Sequence, residues 1–205
     1  QVDGARFRPS AEPDVAEKAL ACCFTEFSLP TKAEGFDEVR FVWQSEEAAE
    51  AHLRTWIKES KAMFIVEGLT PGDWFKDKLQ VWHSARMKLR KSHVDFVERK
   101  RKAEQDGEPL EVGVPDLAAV TDIHDSDGLG TPLYADFKYE DWLILSWRYE
   151  LHLLAHAFLA DAADEDRQGV PEEHAAHYHS VYFGQTLEPK AKLGAAGLPE
   201  ALKLL

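Results

Sequence analysis

His152 and His156 lie four residues apart, and His174, His177 and His179 follow in the next polar-apolar stretch. At helical spacing the first two share a face, as do Glu173 and His177. Two helices carrying such pairs can gather imidazole and carboxylate groups around zinc or iron, the donor types those metals accept. The intervening residues argue against this. Leu153, Leu154 and Ala155 separate His152 from His156, so there is no His-Glu-x-x-His, and the two stretches lack the paired Glu-x-x-His of a di-iron bundle. We therefore expect no metal and no cofactor. His152, His156, His174 and His177 are the residues that would serve if a metal were held. The simpler expectation is that His152 and His156 bond buried partners such as Glu150 or Tyr178.

Other chemistry fails on spacing. Asp125-Ser126-Asp127-Gly128 resembles part of a calcium loop, but with Gly128 at position six, position one is Ile123. A register starting at Asp164 puts Ala175 where the closing glutamate belongs. No Gly-x-Ser-x-Gly occurs, and His83 and Ser84 point about 100° apart on a helix, too far to share a proton. Gly128-Leu129-Gly130 lacks the rest of a phosphate-binding glycine loop. Cys22 and Cys23, the two cysteines, have no neighbour that would lower a thiol pKa; they read as buried thiols in a reducing compartment. No catalytic set remains, so a protein that is not an enzyme is expected.

Charge is the feature that survives. The chain carries −13, yet residues 76–102 hold ten Lys/Arg against three acids, a balance of +7 that leaves −20 for the rest. Folding does not require such segregation. It points to a surface that meets a partner, with Arg86, Lys88, Arg90, Lys91, Arg99, Lys100, Arg101 and Lys102 as the candidate contact residues. The first expectation is a scaffold or adaptor subunit whose basic helix binds an acidic protein. The second is a module that uses the same helix on RNA or DNA, against which the acidic remainder counts. The third is a helical protein holding metal through its histidine cluster. Arg99-Lys100-Arg101-Lys102 also fits nuclear import, so an intracellular place, cytoplasmic or nuclear, is expected. Residues 1–9 show no secretory h-region, and the chain opens on Gln1 rather than Met, as a processed product or fragment would. Residues 142–159 are interrupted by Arg148, Glu150, His152 and His156, so no membrane span is expected. Nothing in the sequence specifies an oligomeric state.

The elements that must carry these residues read as mainly α, or α+β if the N-terminal apolar runs are strands. Residues 1–12 are expected to be flexible. Residues 24–29 alternate apolar and polar, and residues 39–43 are rich in β-branched and aromatic types, so they are expected to pair as a small antiparallel element. Residues 63–66 are a third extended candidate. Ser45 caps a helix whose first turn holds Glu46 and Glu47. Thr70-Pro71-Gly72-Asp73 opens the long charged helix, residues 71–105, with Thr70 as cap. Its apolar positions thin after Leu89, so the basic end is expected to project into solvent. Residues 106–136 form an acidic, Pro/Gly-containing loop between an α+β half, residues 13–105, and a helical half, residues 137–205. Residues 137–160, capped by Asp136, are apolar nearly all round and are expected to be the buried core helix. A third helix ends at Gly184, and a short one closes the chain.

Overall fold

The structure, a computed structural model, describes residues 15–205; the expected flexible N-terminus, residues 1–12, lies outside the described residues. It is mainly helical. Seven α-helices are present among the described residues: α1 (Glu17–Cys23), α2 (Glu46–Met63), α3 (Asp73–Gln105), α4 (Tyr139–Ala162), α5 (Ala175–Phe183), α6 (Pro189–Leu193) and α7 (Leu198–Leu202).

The expected β element is absent: no strand occurs among the described residues. Phe24 and Phe27 are three residues apart, and a 3-10 turn (Phe24–Glu26) places both against one ring. Phe24 meets Trp56 of α2 edge-on at 6.4 Å and Phe27 stacks on it at 5.5 Å. That spacing competes with alternation and wins because α2 supplies an aromatic partner where no strand is available. Residues 63–66 are extended but pair with side chains. The Val66 amide donates to the Tyr178 hydroxyl (2.8 Å), and His174 Nε2 donates to the Met63 carbonyl (2.9 Å). Helix α5 and the 3-10 turn before it (Glu172–His174) thus satisfy backbone groups that a neighbouring strand would otherwise have to satisfy.

Helix α4 is the core helix. Trp142, Trp147, Leu153, Leu154, Ala157 and Phe158 are all buried along it, covering more than one face. One side packs with Phe75 of α3 and with Tyr178 and Tyr182 of α5. Another packs Trp147 against Leu187, Ala195 of the connector and Ala201 of α7. Each large side chain so covered contributes about 1.5–3 kcal/mol relative to exposure. Helices α3 and α4 run antiparallel: Trp82 stacks on Tyr149 (4.3 Å), Arg86 reaches Ser146, and Arg90 and His93 meet Trp142.

Two helix starts differ from expectation for a tertiary reason. Helix α3 begins at Asp73 with Gly72 as its cap residue, and Gly72 has no side chain to cap with. Asp161, at the end of α4, supplies the acceptor instead, taking the Gly72 amide (3.0 Å) and the Tyr182 hydroxyl (2.8 Å) on one oxygen. Burial and this carboxylate push the Tyr182 phenol up. Helix α4 begins at Tyr139, with the Asp141 carboxylate accepting the Lys138 amide (2.8 Å); Asp136 is not its cap. Ser45 does cap α2, accepting the Ala48 amide.

The basic end of α3 does not stand clear of the body. Phe96 is 3 % exposed, and the 106–138 loop returns along the helix: His93 donates to the Ala135 carbonyl (3.1 Å) and Arg99 to that of Gly130 (3.4 Å). Asp127 organises this loop. It accepts the amides of Gly113, Leu129 and Thr131, and although burial opposes ionisation, these bonds and the Thr131 hydroxyl hold its carboxyl far below the usual range.

Lys61 ties α2 to the α4–α5 connector, contacting Asp164 (2.8 Å) and Asp166 (2.9 Å). Burial opposes the Lys61 charge, yet the two carboxylates raise its pKa; Lys61 in turn lowers Asp164, against burial, and Asp166.

Two outcomes follow. A Cβ on Gly72 would overlap Asp161 Oδ1, so Gly72→Ala should lose the amide–carboxylate bond and cost about 1–3 kcal/mol in denaturant unfolding. The Lys61 cluster should give stability that is present above the unfolded carboxylate pKa of about 3.9 and fades as pH falls through the depressed values of Asp164 and Asp166. At the alkaline end it is present below about 10.4 and fades as pH rises through the raised Lys61 value. Melting temperatures of the wild type and Lys61→Met should therefore differ at neutral pH and converge in acid.

Candidate functional site

Helix α3 divides its cations between two faces. At 100° per residue, Phe75, Leu79, Trp82, Arg86, Leu89, His93 and Phe96 fall on the side turned to α4. That arrangement carries Arg86 inward with the aromatic stripe. Its guanidinium meets Ser146 Oγ (3.3 Å) and lies 3.8 Å from Glu150. Arg90 lies over the Trp142 ring, 5.0 Å from its centroid. Arg99 bonds Gly130 and lies over Phe96 (5.7 Å), and Lys100 is half-buried. Lys88, Lys91, Arg101 and Lys102 are exposed and have no ion pair among the described residues. The eight candidate contact residues thus share one helix without forming one surface.

Behind Arg86 lies a buried charged set. Glu150 is 8 % exposed and His179, on α5, 1 %. His179 Nδ1 donates to the Gln185 carbonyl (2.7 Å), which can only accept. The ring's other nitrogen, Nε2, lies 3.3 Å from Glu150 Oε2. With both ring nitrogens committed, His179 has no lone pair for Ser146, and the three residues do not constitute a nucleophile–base set. Low water access makes such a pair costly to break.

The histidines singled out from the sequence are placed differently. His152 and His156 are exposed, with rings 4.6 Å apart, and neither bonds Glu150 or Tyr178. His174 is taken up by Met63, and His177 is exposed on α5. Among the described residues, no group of three or more His, Cys, Asp or Glu side chains is placed to hold a metal ion. The histidine that bonds Glu150 is His179. Its sequence signal was weak, since Glu150 and His179 meet only across two helices.

Cys22 is exposed rather than buried; its thiol lies 3.5 Å from the Glu67 carboxylate, which raises its pKa. That is the opposite of what a reactive thiolate needs. No helix among the described residues is long and apolar enough to cross a membrane. A hollow of about 770 Å³ lies between α1, residues 63–69 and α5 and is mostly apolar, with His174 and His177 at its wall.

Replacing His179 by leucine should strand both the Gln185 carbonyl and the Glu150 carboxylate. We expect roughly 3 kcal/mol lost on chemical unfolding, the lower end for a buried pair because Arg86 remains beside Glu150. A loss under about 1 kcal/mol would show that the pair is not held as described. No protein-family model matches the chain, and neither a curated protein nor a solved structure matches it.

Proposed function

We propose that this chain is a non-enzymatic adaptor whose helix α3 docks an acidic, amphipathic segment of a protein partner on its outer face. One observation carries the reading. Lys88, Lys91, Arg101 and Lys102 are exposed without a carboxylate partner among the described residues, although the chain outside residues 76–102 carries −20. Apolar side chains interleave with them. Met87 is 72 % exposed and Val94 53 %, and Met87, Lys91, Val94, Glu98 and Arg101 recur at the three- and four-residue steps of one helical face. Such a face suits a helix bearing Leu or Val flanked by Asp and Glu. Burying the apolar groups supplies affinity, while the charges steer encounter and exclude basic partners.

A polyanionic nucleic acid suits the face less well. It would meet a molecule of net −13, and Asp95 and Glu98 stand among the cations. The exposed indole of α3, Trp74, is near its other end, beside His156.

A designed helix with leucine along one side and glutamate on both flanks serves as a defined probe. Fluorescence anisotropy should show it binding the full chain with an affinity that falls as salt rises. Binding should weaken at least about tenfold in Lys88→Glu/Lys91→Glu and, separately, in Met87→Asp. Equal binding by these variants, tighter binding of a single-stranded oligonucleotide, or self-association through this face would each overturn the reading.

A further inference from the structure

The inward cations of α3 create a second feature that the docking face does not explain. Arg86 and Arg90 from α3, Ser146 and Glu150 from α4, Gln185, and Lys192 from α6 line one cavity of about 90 Å³. That is space enough for a tetrahedral oxyanion, which needs little more room than a few waters. We propose that this cavity is an oxyanion site that takes a phosphate group, free or as a monoester.

Charge is the first argument. Three cations converge on the cavity and one carboxylate faces them. That carboxylate is already engaged by His179 on its Oε2 side, at 3.3 Å. Its remaining contact to Arg86 is long, 3.8 Å. Neither Arg90 nor Lys192 has an ion pair among the described residues. Two of the three cations lining the cavity, Arg90 and Lys192, are thus left without a carboxylate partner. A doubly charged oxyanion offsets most of that charge, and a single carboxylate does not.

Geometry is the second. Both guanidiniums are held before a ligand arrives. Arg86 is positioned by Ser146, and Arg90 is held over Trp142, which is 4 % exposed and itself fixed by Tyr134, Phe137 and His93. A planar fork so fixed loses little rotamer freedom on binding, which favours arginine for phosphate recognition. Lys192 adds a point charge from a third element. Glu150 and His179 act behind the arginines as positioning residues. Helix α5 thereby enters the site without touching the ligand.

The two sources of such a group are separated by the probes. Inorganic phosphate and phosphoserine are each titrated into the full chain by calorimetry, with chloride as the control anion and sulfate as competitor. Phosphate-bearing ligands should bind and sulfate should compete. Arg90→Gln and Lys192→Gln should each weaken binding at least about tenfold, whereas Lys78→Gln, on the same helix away from the cavity, should not. Thermal melts of the same variants establish that they are folded. Tighter binding of phosphoserine than of phosphate assigns the site to a monoester, and equal binding to the free ion. Absence of binding at millimolar phosphate, or binding unchanged in both folded variants, overturns the proposal. Either result leaves the docking face of Lys88 and Lys91 untouched, since the acidic-helix titration tests that face separately.

Discussion

Helix α4 carries apolar side chains on more than one face, and water cannot be kept from all of them by a single neighbour. This is the constraint on which the rest depends. Helices α3 and α5 together cover one side, and the 184–205 segment covers another. Loops and short helices then lie where the remaining surface of α4 requires cover. Asp161 shows how closely these elements are joined: a carboxylate at the end of α4 terminates the backbone of α3 and orients a tyrosine of α5.

The same constraint sorts the charges. A helix that lays an aromatic stripe on α4 must bring whatever cations share that stripe with it. Arg86 and Arg90 are therefore carried to the interface, where burial demands partners, and they find Ser146, Glu150 and the Trp142 face. Lys88 and Lys91 lie on the opposite side and keep their hydration. One run of basic residues thus becomes two chemically distinct places, an open mixed face and a small cationic hollow between helices.

Much of the helical layout was legible locally. The Ser45 cap, the uninterrupted run after Gly72, the all-round apolar pattern before Phe158 and the stop at Gly184 each express a short-range preference. The N-terminal ribbon was misread because alternation over six residues cannot distinguish a strand from two aromatics three apart on a turn. Only the presence of Trp56 decides between them. The histidines were misranked for a similar reason. Their spacing along the chain made His152 and His156 look inward, whereas the rotation of α4 against its neighbours leaves them in solvent and buries Glu150 for His179.

The sequence by itself determined the long helices, which of them must be central and where net charge is concentrated, because these follow from periodicity, capping and composition along a few neighbouring residues. Tertiary structure alone decided which cation faces water and which faces a carboxylate, which histidine is buried, and that the loop at 106–138 folds back onto α3. Those outcomes depend on the angular register between packed helices. A rotation of one residue, about 100°, exchanges a solvent position for an interface position, and no local preference in the chain fixes that angle before the helices meet.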